Sequence, residues 1–353
     1  MSSPICAASE SAVPESVAIG RGGLAAPPVA YGAAALGNLY QALGEEDWPQ
    51  IVRAAWAGGV RYFDVAPHYG LGLAERRLGE SLRALPREEL VVSTKVGRLL
   101  VPQDAAGRTD IDNLFDVPAD HRRVRDYSRD GVLRSIEESL ERLGLDRIDI
   151  ALVHDPDDHE REALDGAFPA LSELRDQGVI RSFGAGMNHS AMLARFVRET
   201  DADVMMIAGR WTLLDQSAAD DLLPAADDRD VTVLAAAVFN SGILATDAPR
   251  HGSTFDYGPA DHAVVERAQA IARIAHRHDR TLPELAAQYP LTHPAVAAVV
   301  MGGASAEQVA RNSGLVARPV GGEVWDELRE QGLISRETVP ARQAMGREGH
   351  PVR

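Results

Sequence analysis

Residues Leu133 to His154 read LRSIEESLERLGLDRIDIALVH. Leu133, Ile136, Leu140 and Leu143 recur at helical spacing on one face, with charges on the other. Gly144 then supplies a helix stop, because glycine takes the left-handed conformation without steric cost. The run Ile148–His154 that follows is nearly continuous in apolar residues and ends in a histidine. Such a run fits a parallel strand covered on both faces. A helix feeding straight into a buried strand is the repeating unit of parallel α/β folds.

Working outward, similar strand-like runs are expected at Val29–Tyr31, Tyr62–Val65, Leu90–Thr94, Ile180–Gly184, Val204–Ile207, Val231–Ala237 and Ala297–Met301. Helix-period segments separate them, at residues 160–178, 189–199, 216–229, 261–278 and 305–314. Eight βα units in order predict an α/β protein with a single (β/α)8 TIM barrel. An open doubly wound sheet is the rival, and it normally carries a G-x-G-x-x-G turn after its first strand. No such turn occurs there. Two polar insertions, Arg98–Asp130 and Ala245–Pro259, are expected as long loops over the C-terminal mouth. Plain solvated surface is the other reading of both. The expected organisation is a flexible leader at 1–20, the barrel at 21–335 and a loosely held tail at 336–353.

The chain has 353 residues, 45% of them hydrophobic, and a formal net charge of −16. That charge repels a long phosphate backbone, so no nucleic-acid partner is expected. No uninterrupted apolar stretch reaches the roughly 18 residues of a membrane span. Residues 1–20 lack the basic start and apolar block of a secretory signal. Cys6 is the single cysteine, which excludes an intrachain disulfide and fits a reducing, cytoplasmic location. The apolar stripes specify no oligomeric state.

Four polar residues carry the chemistry. Asp64 ends the second strand, Tyr69 follows in the loop, Lys95 ends the third strand and His154 ends the fourth. Strand ends of a barrel converge on one mouth, so residues distant in sequence meet there. A tyrosine is a weak acid, with a reference pKa of about 10. A neighbouring ammonium favours the phenolate and is expected to lower that value. An aspartate can hold the lysine and limit the cost of burying its charge. A neutral histidine can orient a substrate oxygen. Together they make a proton donor or acceptor for carbonyl–alcohol interconversion. Taken singly, each has an ordinary role: a helix cap, a half-buried aromatic, a snorkelling lysine, a core histidine.

These residues lie in segments that resemble the aldo-keto reductases. Asp64-Val65-Ala66-Pro67-His68-Tyr69-Gly70 is similar to that family's D-x-A-x-x-Y-G segment. Ser93-Thr94-Lys95-Val96 is similar to its lysine strand, and Leu143–Asp149 with Leu152-Val153-His154 to its approach to the histidine. The resemblance runs from about residue 22 to about 333. It implies a catalytic tetrad of Asp64, Tyr69, Lys95 and His154, with Tyr69 as general acid or base and direct hydride transfer at the nicotinamide. Tyr69–Gly79, Lys95–Leu100, Asp126-Tyr127-Ser128 and Val238–Gly242 resemble the branch that oxidises aldoses at C1. That branch includes L-fucose, L-galactose and D-threo-aldose dehydrogenases, and pyridoxal 4-dehydrogenases. It implies a small sugar or aldehyde substrate.

The resemblance also implies an extended dinucleotide. Asn188 matches the asparagine that holds the nicotinamide carboxamide. Met187 replaces the usual serine before it, Ala208 a usual glutamine, and a small residue near Ala236 the usual stacking tyrosine. Phe239, Asn240, Ser241, Gly242 and Leu244 form a loop that can offer backbone amides to a pyrophosphate. Gly302, Gly303, Ser305, Gln308, Arg311 and Asn312 fall in the segment resembling the adenosine site. Relatives that prefer NADPH place lysine or arginine where Gly302, Ala304 and Gln308 stand, and only Arg311 is basic here. A lost charged hydrogen bond to a phosphate costs about 1.5–3 kcal/mol, so NAD is expected over NADP. Arg98, Tyr127 and Trp211 are candidate substrate contacts. Phe239 and Phe255 are further candidate aromatics, and Asn113, Asp126 and Arg210 further hydrogen bonders.

Three alternatives stay open on residues alone. A barrel isomerase, aldolase or hydrolase would use His68, His154, Asp155, Asp157 and Asp158 as metal ligands. A non-catalytic nucleotide-binding subunit would bind the dinucleotide without turnover. An aldehyde reductase would run the same residues in reverse.

Overall fold

The computed structural model describes residues 15–335. Eight strands close into a barrel: β1 (Val29–Gly32), β2 (Tyr62–Asp64), β3 (Val91–Val96), β4 (Ile150–His154), β5 (Ser182–Met187), β6 (Val204–Ala208), β7 (Thr232–Ala236) and β8 (Val296–Met301). Every neighbouring pair is parallel and consecutive, and β8 closes on β1. All eight expected strands are present, with ends moved by up to three residues. The helices α1 (Trp48–Ala57), α2 (Leu73–Leu82), α3 (Arg129–Leu143), α4 (Phe168–Asp176), α5 (Ser190–Glu199), α6 (Leu222–Arg229), α7 (His262–Arg277) and α8 (Ala306–Gly314) alternate with them.

Strand pleat decides what reaches the mouth. Tyr62, Val91, Ile150 and Leu152 share the barrel interior with Val204, Met206 and Leu234. Phe63, Val92, Ala151 and Val153 pack instead on the cluster that includes α1, α2 and α3. Side chains alternate faces with period two. Asp64, Lys95 and His154 therefore extend the inward series of Tyr62, of Val91 and Ser93, and of Ile150 and Leu152, and cap it with polar groups. At the opposite end Ile19, Leu24 and Ala26 join the interior cluster, from an antiparallel hairpin of Val17–Ile19 with Leu24–Ala26. The expected leader is corrected there: residues 15–20 are described, and Val17–Ile19 plug the barrel. Residues 1–14, with Cys6, and the expected tail 336–353 lie outside the described residues.

α3 begins four residues earlier than the periodicity placed it, because Ser128 Oγ accepts the Gly131 amide at 3.1 Å. It ends as expected, with Gly144 at φ 61° donating to the Leu140 carbonyl at 2.8 Å. The helix expected over 160–178 carries a π segment at Ala163–Ala167 just before Pro169. Proline has no amide to donate, so the ladder widens there.

The two insertions are more than loops. Arg98–Pro102 pairs antiparallel with His121–Arg125, and Thr254–Phe255 with Gly258–Pro259. No helix among the described residues is long and apolar enough to cross a membrane.

Candidate active site

Asp64, Lys95 and His154 reach one rim because three successive strands end there in the same pleat phase. Tyr69 arrives from the loop between β2 and α2. That loop lies against Gly37 so closely that a Cβ on Gly37 would fall 2.7 Å from the Tyr69 carbonyl carbon. A Cβ on Gly70, at φ +60°, would fall 2.3 Å from the Gly37 oxygen. Only glycine fits either position, and the contact seats the tyrosine.

Lys95 spends three donors on three neighbours. Nζ donates to Asp64 Oδ2 at 2.7 Å, to the Val65 carbonyl at 3.0 Å and to Tyr69 OH at 3.2 Å. Asp64 Oδ1 accepts Ser93 Oγ at 2.6 Å, and Tyr62 OH donates to Ser93 Oγ at 3.0 Å. Both ions are buried, yet each is paired and hydrogen-bonded, the condition under which buried charge is tolerated. Burial pulls the Lys95 ammonium towards neutrality, but Asp64 and Tyr69 more than offset it and its pKa stands above the usual lysine value.

Burial pushes the Tyr69 hydroxyl up, and the Lys95 charge pulls it down without cancelling that rise. The expected downward pull is present, but the net shift is upward: desolvation of the phenolate outweighs the ammonium. The resting hydroxyl is therefore protonated.

The His154 ring meets Tyr69 edge-on, with centroids 6.0 Å apart at 89°. Burial, then Arg98, Lys95, His68 and Arg125, holds its pKa well below the usual value, so the imidazole is neutral. Its Nδ1 is buried without a partner, and Nε2 lies 3.5 Å from Asp155 Oδ2. The carboxylate beside Nε2 favours the tautomer carrying its hydrogen there. His68 sits 5.7 Å from the His154 ring, and burial with Arg98 and Arg123 pushes its pKa down to about 2. Its Nδ1 is also buried and unpartnered. Phe115, from the first insertion, packs on His68 at 5.4 Å and on Tyr69 at 6.0 Å.

Arg98 pairs with Asp155 at the rim. Tyr127 is not a lining residue: it is 1% exposed, and its hydroxyl donates to the His154 carbonyl at 3.0 Å while accepting Arg125 at 2.7 Å. It buttresses the turn after β4. Trp211 is likewise 1% exposed, with Nε1 donating to the Pro290 carbonyl at 3.1 Å and its ring 5.1 Å from Tyr289. Both expectations fail for one reason: the aromatics found better-packed partners below the rim. Phe239 and Phe255 pack half-buried on the core. Asn113 donates to Asp110 at 2.8 Å, Asp126 accepts the Ser128 hydroxyl at 2.6 Å, and Arg210 bridges Asp215 and Asp256. The sequence reading missed Glu75, wholly buried on α2, where it accepts Thr94 Oγ1 at 2.7 Å and Arg142 at 2.6 Å. Its place on the inward face of the amphipathic α2 was the available signal. Among the described residues no group of three His, Cys, Asp or Glu side chains could hold a metal ion.

The donors expected to hold a dinucleotide follow the rim from β5 to β8. Asn188 is exposed just past β5. Ala208 and Ala236 leave the ends of β6 and β7 open. Asn240, Ser241 and Gly242 all have positive φ, and Asn240 Nδ2 donates to the Gly209 carbonyl at 3.3 Å while its buried Oδ1 has no partner. Ser241 Oγ accepts the Tyr257 amide at 2.9 Å, tying the second insertion to this loop. Leu244 is buried. Ser305 caps α8 by accepting the Gln308 amide at 3.1 Å, Gln308 Oε1 accepts the Ala304 amide at 2.8 Å, and Asn312 Nδ2 donates to the Gly302 carbonyl at 2.9 Å. Gly303 accepts Tyr31 OH at 3.1 Å, and Arg311 is exposed. A polar rim with an exposed carboxamide, an orphaned amide oxygen and a helix start fits a dinucleotide. Ser305, Gln308 and Asn312 serve the turn itself first.

Comparison with known proteins finds relatives over nearly the whole described chain. A sequence profile described as the Aldo/keto reductase family matches residues 28–332. The chain is 46% identical over 315 residues to D-threo-aldose 1-dehydrogenase from Pseudomonas sp, covering 88% of this chain and 96% of that one. It is 39% identical over 340 residues to pyridoxal 4-dehydrogenase from Microbacterium luteolum, covering 91% and 98%. Among solved structures, a glycerol dehydrogenase from Gluconobacter oxydans superposes with a TM-score of 0.73 at 22% identity, over 94% of this chain and 98% of that one. At that identity the likeness concerns the fold.

Proposed function

The chain belongs to the aldo/keto reductase family and is an oxidoreductase, and on that premise we propose that it oxidises an aldose at C1 with NAD. One observation carries the chemical part: a buried ammonium, held by Asp64, stands 3.2 Å from the Tyr69 hydroxyl. The bound nicotinamide supplies a hydride acceptor. Tyr69, as phenolate, takes the proton of the C1 hydroxyl while the C1 hydrogen leaves as hydride, and an aldose in its ring form becomes a lactone. Lys95 stabilises the phenolate in that step, and Asp64 keeps Lys95 charged and in place. Neutral His154 donates from Nε2 to the substrate oxygen and orients it. Phe115 and His68 narrow the mouth around the reacting atoms and keep water from them.

The relative that acts on an aldose favours the sugar. The pyridoxal relative favours a second reading with the same proton-transfer residues, oxidation of an aromatic aldehyde-alcohol. The preference for NAD rests on the absence of a basic residue at Gly302, Ala304 and Gln308.

The test is NADH formation on a panel of aldoses and on pyridoxal, followed from neutral into alkaline pH. Because the Tyr69 pKa is raised, its base form grows throughout that range, so oxidation is expected to accelerate with pH. A profile that falls with pH would contradict Tyr69 as the base.

A further inference from the structure

Asp155 stands out among the residues that the proton-transfer mechanism does not use. It is not glycine, yet its φ is +39°, a strained left-handed value. The turn that holds it there is fixed from several sides. Its amide donates to the Gly186 carbonyl at 3.1 Å, its carbonyl accepts Tyr127 OH at 3.1 Å, and Arg125 donates to the same carbonyl. The strain aims the carboxylate across the rim, next to His154.

Its side-chain contacts fall on one oxygen. Oδ2 takes Arg98 and lies 3.5 Å from His154 Nε2. Oδ1 is left open, and a third of the side chain is exposed at 33% against 11% for Arg98. The guanidinium is thus anchored and largely dry, and the carboxylate keeps a face towards the mouth. Lys95, Arg125 and Asp157 are the other charged groups whose fields reach Asp155.

We propose that the Arg98–Asp155 pair is a specificity site that reads the hydroxyl beside the reacting carbon of a polyol substrate. The juxtaposition with His154 places it one carbon along from the oxygen that His154 would orient. A carboxylate accepts from a hydroxyl, and the neighbouring guanidinium donates to the same oxygen, so both valences of one alcohol are met. A neutral sugar satisfies the pair. A phenolate such as that of pyridoxal has no hydrogen to donate to the carboxylate. A site built to bond a hydroxyl rejects the analogue lacking it, because its own polar groups are then unpaired. This assignment rests on the aldose reading and sharpens it to the hydroxyl next to C1.

The experiment measures binding, so that it does not depend on turnover. Calorimetry with NAD present, in a Tyr69→Phe background, compares an aldose with its 2-deoxy analogue. Each is measured with the native Asp155 and with Asp155→Asn. Asparagine tolerates the left-handed backbone, so the turn is kept. Native Asp155 is expected to prefer the aldose by about tenfold or more, and Asp155→Asn to reduce that preference to about threefold or less. An unchanged preference in the variant, equal binding of the two sugars by the native residue, or no binding of either would overturn the assignment. Selective binding of the aldose without turnover by the Tyr69-containing protein would instead remove the dehydrogenase reading and leave this one standing.

Discussion

At the scale of single residues, the cluster of Asp64, Tyr69, Lys95 and His154 depends on an ion pair that burial alone would forbid. Lys95 and Asp64 are 2% and 3% exposed. Removing one partner strands the other without compensation, which typically costs about 3–5 kcal/mol. Lys95→Met is therefore expected to lower unfolding stability by that order in a denaturant melt. A loss below about 1 kcal/mol would mean that the pair contributes no more than a surface pair does. The two histidines set a second expectation. His68 and His154 are folded with depressed pKa values and titrate near 6.5 when unfolded. Below that pH the unfolded chain binds more protons, so stability is full above about 6.5 and declines as pH falls, by up to about 1.4 kcal/mol per unit for each histidine. Thermal melts between neutral pH and about 5 read this slope, and His68→Gln should make it shallower. The convergence of Asp64, Tyr69, Lys95 and His154 on one rim was legible because residue type and strand-end position agree. Tyr127 and Trp211 were not, because sequence gives an aromatic's type but not the direction its ring takes in packing. Asp155 stood out in sequence only as one of several candidate metal ligands in a His-Asp-Pro-Asp-Asp run, and the backbone φ and the Arg98 pair distinguish it.

At the scale of elements, the strands announced themselves by apolar runs, and their ends were misplaced by a few residues because hydrogen bonding at a barrel rim does not follow hydropathy. The hairpin Arg98–Pro102 with His121–Arg125 was invisible for another reason: its His-Arg-Arg-Val-Arg strand carries no apolar alternation to mark it. Arg98, Arg123 and Arg125 on it are satisfied by Asp155, by Asp110 and by Tyr127 OH respectively. The hairpin's root is Gly97, at φ +99°, where a Cβ would fall 2.2 Å from the Tyr127 ring. Gly97→Ala is expected to displace Tyr127 and loosen the His154–Asp155 turn, costing about 1–3 kcal/mol together with a loss of kcat/KM. Gly107→Ala is the control, since its Cβ meets nothing within 4 Å although its φ is +74°. Steady-state kinetics of the two variants should separate them, and equal activity would mean that the buttress has no functional role.

At the scale of the whole molecule, the barrel was legible from rhythm: eight βα units in order, with no glycine-rich turn after the first strand. The proposed cofactor preference belongs to this scale, because the residues proposed to hold the dinucleotide come from β5 through α8. A ligand at a hundred times its Kd adds about 2.7 kcal/mol of stability to the protein that binds it. Thermal shift with equal NAD and NADP is expected to favour NAD, and a larger shift with NADP would assign Arg311 to the extra phosphate. The central claim joins fold, tetrad and sugar. Its most direct test is NADH absorbance with NAD and a panel including L-fucose, L-galactose and D-arabinose, run with the native protein and with Tyr69→Phe. The account predicts turnover on an aldose and a loss of about 100-fold or more in the variant, with NAD binding retained. Absence of turnover on every aldose, or a Tyr69→Phe variant as active as the native protein, would contradict it.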